Sequence, residues 1–204
     1  NTYIVNVYPD TTCWVNDFRN TESEIYLRSY FSNPAYNDYP VVGVTWEQAN
    51  AFCAWRTDYL LKGLGPEARF VQRYRLPTEA EWEFAAKGGK KGRGYMFSGS
   101  YAIENVAWYF DNSGKETHIV GKKQPNELGI YDMSGNVWEW CQDWHGGYSS
   151  SSQTNPTGSV TGTSRVYRGG SCALLEKYCR TSYRDWGHPD SRPSKCGFRL
   201  ALSE

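Results

Sequence analysis

Beyond Gly88 the chain is interrupted at short intervals by Gly, Asn, Ser and Pro, so more than half of its length cannot form long helices or strands. Short strand-like pieces remain at residues 119–120, 130–131, 165–168 and 197–200. The polar stretch of residues 146–163 cannot bury a core by itself and is predicted to be an exposed connector. Loops and short strands around a few helices are therefore expected.

Two helices are predicted before that point. Residues 45–61 carry apolar side chains at helical spacing, with Thr45 as the N-cap and Gln48 completing a capping box. A second start signal is Thr78 with Glu81 three residues on, and Gly88 follows as a stop signal. Early helices followed by irregular strands predict an α+β fold.

The length of the chain and its net charge limit the classes of protein to which it can belong. A chain of 204 residues suits one domain over residues 1–204. The 22 basic and 22 acidic residues cancel, which argues against nucleic acid as a partner. No apolar run approaches the roughly 20 residues of a membrane span. Aromatic residues make up 16% of the chain and suit a binding scaffold, the alternative being that they fill a core made of loops.

The six cysteines are irregularly spaced and contain no CxxC pair, which argues against a zinc ribbon or a thioredoxin-type site. Cys53 lies in the first predicted helix and Cys141 follows a Trp-rich segment, so both are expected to be buried thiols. The three histidines, His118, His145 and His188, are scattered and do not form an evident ligand set.

Four segments, in order, carry a family resemblance. They are RLPTEAEWEFAA (residues 75–86), NELGIYDMSGNVWEW (126–140), RVYRGGS (165–171) and GFR (197–199). Together they resemble the formylglycine-generating-enzyme, or sulfatase-modifying-factor, family over residues 41–202. The resemblance implies that family's variant of the C-type lectin fold, with two helices packed on short irregular antiparallel strands and many loops.

The amino-terminal part resembles the gliding-motility and secretion lipoproteins of Bacteroidetes that carry the same domain. The motifs are NPAY (33–36), YPVVGV (39–44) and AWR (54–56). This resemblance implies a location outside the cytoplasm, at the cell surface. A gliding-motility or secretion-associated lipoprotein is accordingly one of the functional alternatives.

Catalytic members of the family use two cysteines five residues apart, which bind copper and engage the substrate thiol. The second position is Cys179 here, but the first is Leu174, which can neither ligate copper nor form a thiolate. Cys172 lies two residues from that position, a displacement of roughly 6–7 Å on an extended segment. The sequence therefore predicts neither enzymatic activity nor copper, and a copper-dependent oxidase is the least favoured alternative.

A structural calcium ion is the cofactor that the resemblance implies. The family's calcium loop matches residues 132–139, with the Asp132 and Glu139 side chains and the Gly135 and Val137 carbonyls as ligands. The alternative is that both carboxylates only accept hydrogen bonds from the protein. A second family site matches Asn105 and Val106, but its other ligands have no clear counterpart, so one ion is expected rather than two.

Residues 172–196, here called the C-terminal segment, depart from the family pattern in one consistent way. Non-catalytic relatives are rich in Asn there, whereas this chain keeps a framework including Cys179 and Arg184 and replaces the positions between. This pattern resembles the variable proteins of diversity-generating retroelements, in which Asn codons are rewritten. The predicted ligand-binding residues are Cys172, Ala173, Leu174, Leu175, Tyr178, Asp185, Trp186, His188, Ser191, Pro193, Ser194 and Lys195.

The resemblance to a variable protein predicts a non-catalytic binding protein whose partner is an unknown protein or cell-surface ligand. Apolar contact would come from Leu174, Leu175, Tyr178 and Trp186, which with His188 are expected to share one exposed face. The alternative is that these replacements are ordinary drift on the surface of a lipoprotein.

Overall fold

The computed structural model describes residues 5–17, 22–64 and 72–203. The helices within these ranges are α1 (Cys13–Asp17), α2 (Glu22–Ser29), α3 (Trp46–Leu64), α4 (Glu79–Ala86) and α5 (Ile103–Val106). The strands are β1 (Tyr74–Arg75), β2 (Trp138–Trp144), β3 (Arg165–Arg168), β4 (Arg184–Gly187), β5 (Cys196–Gly197) and β6 (Ala201–Leu202). None of these helices is long and apolar enough to cross a membrane.

Both predicted capping boxes are confirmed. Gln48 N donates to Thr45 Oγ1 at 3.0 Å and Thr45 N donates to Gln48 Oε1 at 2.8 Å, which fixes the start of α3. Thr78 and Glu81 make the same reciprocal pair at the start of α4. Each box satisfies amide groups that the first helical turn leaves without partners.

A four-stranded sheet in the order β4-β3-β2-β5 forms the centre of the fold. β2 with β3 and β3 with β4 are antiparallel, whereas β5 runs parallel to β2. Tyr167 pairs with Trp140 on one side and with Asp185 on the other, while Val166 pairs with Trp186. β1 and β6 form a separate antiparallel pair.

The two predicted helices cover opposite faces of this sheet. On one face, the α3 face, Ala49 and Cys53 of α3 pack against Trp138 and Trp140. On the other, the α4 face, α4 packs against the rest of the core through a cluster of Trp82, Ala86, Met133, Cys141 and Val166. Successive strand residues point to opposite faces, so both helices find apolar partners on the same strands. The family's α+β fold of the C-type lectin type is thus present.

Two short helices, α1 and α2, add a third cluster that the sequence did not predict. Trp14 is buried there with its ring centroid 4.8 Å from that of Tyr30, and Val42 and Val137 complete the contact with the rest of the fold. The helices are too short to show a clear apolar periodicity.

The strand predictions were right in part. Residues 165–168 form β3, residues 197–200 are split between the end of β5 and the approach to β6, and residues 146–163 form an exposed loop. Residues 119–120 and 130–131 are not strands, so these two predictions were wrong. Val120 N makes a single hydrogen bond to Asp38 O, and Ile130 O accepts a hydrogen bond from Asn126 N within a turn. Neither piece therefore takes part in the hydrogen-bond ladder of a sheet.

Candidate functional site

The position of the family's catalytic pair is closed. Cys179 is fully buried, and burial raises the pKa of its thiol to about 12. A Cβ atom on Gly170, whose φ is +76°, would lie 2.7 Å from Cys179 Sγ, so this glycine lets the chain pack directly over the sulfur. Leu174 lies partly buried against the Trp138 cluster. No thiolate forms here at neutral pH.

Burial extends to all six cysteines, each of which is a free thiol. The expectation that Cys53 and Cys141 are buried is confirmed at 2% and 0% exposure. Burial also raises the pKa of Cys172 to about 11. Cys172 therefore cannot replace the missing catalytic cysteine as a reactive sulfur.

Beside Leu174 an aromatic floor lies on the α3 face. The ring centroid of Trp138 is 5.0 Å from that of Tyr167 and 6.1 Å from that of Tyr183, which in turn lies 5.1 Å from that of Tyr178. Tyr167 and Tyr183 were not among the predicted site residues. Successive residues of β3 point to opposite faces of the sheet. Because Val166 is buried on the α4 face, the next residue, Tyr167, points to the α3 face, and this alternation is the signal that could have found it.

Several predicted ligand-binding residues surround this floor. Asp185 pairs with Tyr167 across the sheet, and its charge adds to burial in raising the pKa of that tyrosine. Lys195 O accepts a hydrogen bond from Trp138 N at 2.8 Å. A Cβ on Gly187 would lie 3.3 Å from both Ser191 Oγ and the Trp140 ring. The structure therefore brings together a set that we call the α3-face surface, whereas the backbone hydrogen bond of Lys195 does not place that side chain there. The set is Leu174, Tyr178, Tyr183, Asp185 and Ser191.

Two of the predicted ligand-binding residues, Cys172 and Ser194, are fully buried, and their assignment was wrong. Cys172 is held by both of its backbone groups, because its N–H donates to Asn136 O at 2.8 Å and its carbonyl accepts from Ser113 Oγ at 2.6 Å. Ser194 lies between Pro193, whose carbonyl accepts from Gly43 N, and Lys195. Neither side chain is available to a ligand.

Trp186 lies apart from the predicted shared face. It follows Asp185 in β4, so its side chain points to the α4 face, where its ring stacks on His145 with centroids 3.9 Å apart. The indole is still 48% exposed, because β4 is an edge strand. Leu175 and His188 are exposed and Ala173 and Pro193 are half-buried. The prediction of one common face was therefore wrong for Trp186.

In the candidate calcium loop, Asp132 has one carboxylate oxygen without a hydrogen-bond partner among the described residues, whereas both oxygens of Glu139 accept hydrogen bonds. Asp132 Oδ1 is buried and accepts no hydrogen bond, while Oδ2 accepts from Gly121 N at 2.7 Å. Burial and the charge of Glu139 raise the pKa of Asp132. Glu139 accepts from Trp82 Nε1 at 2.6 Å and from Arg199 through two nitrogens. A buried acceptor without a partner fits a cation, although Arg199 already neutralises Glu139.

Asn105 and Val106, the second predicted metal-binding pair, lie among backbone hydrogen bonds and core contacts. Asn105 O accepts from Gln124 N at 2.8 Å, and Val106 is buried in the core cluster of α5. The ammonium group of Lys123 donates to Glu104 O at 2.7 Å and lies 4.0 Å from the centre of the Trp108 ring. Among the described residues, no group of three or more His, Cys, Asp or Glu side chains is arranged to hold a metal.

Comparisons of the sequence and of the fold with known proteins give matches over most of the chain. Residues 14–204 match the sulfatase-modifying factor enzyme 1-like domain. The formylglycine-generating enzyme of Streptomyces coelicolor is 35% identical over 182 residues, covering 80% of this chain and 52% of that protein. The serine/threonine-protein kinase pkn1 of Chlamydia pneumoniae is 39% identical over 172 residues, covering 82% of this chain and 25% of the kinase.

The chain thus spans about half of the enzyme and a quarter of the kinase. Among solved structures, Treponema denticola variable protein 1 matches with a TM-score of 0.74 and 34% identity, covering 85% of this chain and 74% of that one. CarF matches with a TM-score of 0.63 and 29% identity, covering 83% of this chain and 69% of that one. The chain therefore belongs to the sulfatase-modifying factor enzyme 1-like family, and its resemblance to a variable protein is borne out by the fold.

Proposed function

We propose that this protein is a non-catalytic binding protein that presents a variable C-terminal surface on its lectin-type scaffold. The observation that carries the proposal is the placement of replaced residues over a fixed aromatic floor. Leu174, Tyr178 and Asp185 surround Trp138 and Tyr167, whose positions are set by β2 and β3. Side-chain changes at the rim can therefore alter the ligand without altering the strands beneath.

The surface has the composition of a recognition site. Tyr178 and Tyr183 offer large rings with few rotatable bonds, and Leu174 adds apolar area beside them. Asp185 supplies a negative charge at the rim, which suits discrimination between ligands more than general adhesion. A folded protein or cell-surface ligand met outside the cytoplasm is the partner that this surface suits.

Population sequencing tests the variable function directly. We expect non-synonymous differences between related isolates to concentrate in the codons of Leu174, Leu175, Tyr178, Asp185, Trp186, Ser191 and Lys195, and a nearby template repeat to differ from them at adenines. The codons of Cys172 and Ser194 are expected to stay constant because their side chains are buried. Uniform variation along the gene, with no reverse transcriptase nearby, would contradict the proposal. Neighbouring secretion genes would then favour the lipoprotein alternative.

Absence of catalysis is tested separately. The protein is incubated with a cysteine-containing sulfatase peptide, oxygen and copper, and formylglycine is measured by mass spectrometry. No turnover is expected because Leu174 replaces one sulfur and Cys179 is buried. Oxygen-dependent conversion of the peptide would overturn the assignment, whereas a formylglycine-generating enzyme run in parallel confirms that the assay works.

We also propose one structural calcium ion at the loop of residues 132–139. The partnerless Asp132 Oδ1 supports it, with the Gly135 and Val137 carbonyls and Glu139 as further oxygen donors. The ion would neutralise Asp132, whereas Glu139 is already paired with Arg199, and it would fix the loop. Calcium is expected to raise the melting temperature of the EGTA-treated protein, and Asp132→Asn to abolish the shift. An equal shift in both proteins would contradict the site.

A further inference from the structure

A cavity of about 480 Å³ opens on the α4 face, away from the α3-face surface. It lies between α4, the end of β2, β4 and the polar loop that follows β2. Its volume is in the range of small-molecule sites, and most of its lining is apolar. Four rings form its walls: Phe84, Trp144, Tyr148 and Pro156.

One acidic group in this cavity, Asp143, makes no contact ion pair with the described residues, although the charges of Arg184 and Arg165 act on it from a longer distance. Asp143 is only 3% exposed, and its Oδ2 accepts from Glu79 N at 2.8 Å. Its Oδ1 accepts no hydrogen bond from any residue in the described ranges, and no ion pair neutralises the carboxyl there. Burial raises the pKa of Asp143 to about 6, and the nearby charge of Glu79 adds to this. Arg184, which also lines the cavity, lowers the pKa of Asp143 in part, so the group is a buried acid with basic groups nearby and none in direct contact among the described residues.

The other acids of the cavity are neutralised by the protein. Glu79 accepts from Arg168 at 2.9 Å and from two nitrogens of Arg184 at 2.8 and 2.5 Å. Glu83 pairs with Arg168 and Lys87. Among the described acids that line the cavity, Asp143 is therefore the one without a contact ion pair.

The polar loop closes on this acid through a glycine. Gly158 has a φ of +78°, and a Cβ there would lie 2.9 Å from Asp143 Oδ1 and 2.7 Å from Asp143 Cβ. Only glycine lets the loop approach so closely. The loop thereby packs against one side of Asp143, which still lines the cavity, while Phe84 and Tyr148 at the wall remain 56% and 68% exposed.

From this arrangement we propose that the cavity is a second binding site, for a small organic cation that carries an amine on an apolar body. The ammonium group pairs with Asp143 Oδ1, and the apolar body lies against Phe84 and Trp144. The cation supplies the contact partner that Asp143 lacks among the described residues, and the exposed Phe84 ring stabilises it further, whereas Trp144 and Tyr148 already stack on one face with Arg165 and Arg184, respectively. The site uses the opposite face of the sheet, so it does not depend on the variable surface.

The test compares two matched compounds by isothermal titration calorimetry and ligand-observed NMR. Phenethylamine is charged at neutral pH, whereas 2-phenylethanol has a closely similar shape and no charge. We expect phenethylamine to bind the whole protein with a Kd on the order of 0.1–1 mM at pH 7.5, and 2-phenylethanol at least about tenfold more weakly. Lowering the pH to 5 should weaken amine binding about tenfold, because most of the Asp143 carboxyl is then protonated.

Three variants complete the experiment. Asp143→Asn keeps an acceptor for Glu79 N and should weaken amine binding at least about tenfold, and Ala80→Phe, which fills the cavity, should do the same. Asp190→Asn, in an exposed turn, should bind as the wild type does. Equal binding of amine and alcohol, unchanged binding in both cavity variants, or no binding of phenethylamine up to about 10 mM overturns the proposal. Thermal unfolding shows whether each variant is folded.

Discussion

The guanidinium group of Arg168, which has no exposed surface, donates from Nη1 to Glu79 Oε1 at 2.9 Å and so ties β3 to α4. Arg184 of β4 binds the same carboxylate through two further hydrogen bonds. Glu79, in the first turn of α4, thus links this helix to two adjacent antiparallel strands, β3 and the edge strand β4. Arg184 anchors the C-terminal segment there, and it is a framework residue, not one of the predicted variable positions.

We expect Glu79→Ala to lower the free energy of unfolding by about 3–5 kcal/mol, because Arg184 loses its carboxylate partner and the buried Arg168 keeps only Glu83 among its described acidic partners. Chemical denaturation measures the loss. The matched control is Lys87→Ala, which removes a half-exposed partner from an ion pair of the same helix and should cost about 0.3–0.5 kcal/mol. Similar losses in both variants would show that the network does not stabilise the fold as described.

A glycine pair tests the packing over Cys179. Gly170→Ala places a methyl group 2.7 Å from Cys179 Sγ and should cost about 3 kcal/mol or more, since backbone atoms of Tyr178 and Cys179 also lie within 2.9 Å of it. Gly114→Ala has a similar φ of +65° but meets no atom within 4 Å, and should cost about 1 kcal/mol. Melting temperatures compare the two variants. The prediction fails if Gly114→Ala is the more damaging change.

The buried acid of the cavity gives a pH dependence with a defined sign. The pKa of Asp143 in the folded state, about 6, lies above the usual value of about 3.9, so the folded state holds the proton more tightly. Its contribution to stability is therefore present at low pH and is lost as pH rises toward 6 and above. Asp143→Asn should be similar to the wild type at pH 4.5 and more stable by about 1–3 kcal/mol at pH 7.5.

This prediction is checked by urea denaturation of both proteins at the two pH values. Comparing the difference between variant and wild type cancels the titration of other groups. If that difference is constant with pH, the carboxyl is not perturbed in the folded state.

Substitutions in the C-terminal segment should separate buried positions from exposed ones. Cys172→Asn brings an amide into a site with no exposed surface and is expected to cost about 2 kcal/mol or more. Leu175→Asn, at a position 47% exposed, should change stability by less than about 0.5 kcal/mol. Thermal unfolding of the two variants gives the comparison. A tolerant Cys172 would restore this residue to the candidate surface.

Local signals in the sequence determined the two main helices and the family. Thr45 with Gln48 and Thr78 with Glu81 are capping boxes that depend on residues three apart, and the structure confirms both. The prediction that Leu174 stands at the first catalytic position is likewise read from position in the chain alone. Such features are fixed by neighbours in sequence, and no tertiary contact is needed to recognise them.

Which side chains of the C-terminal segment face a ligand was decided only by the tertiary structure. The sequence placed Cys172, Asp185 and Trp186 on one surface, but hydrogen bonds from Ser113 and to Asn136 hold Cys172 inside, and pairing with β3 turns Asp185 and Trp186 to opposite faces. The lack of a contact ion pair at Asp143 among the described residues likewise appears only in the tertiary structure, where the loop around Gly158 packs against it. Burial and strand register arise from residues far apart in the chain, so local pattern does not specify them.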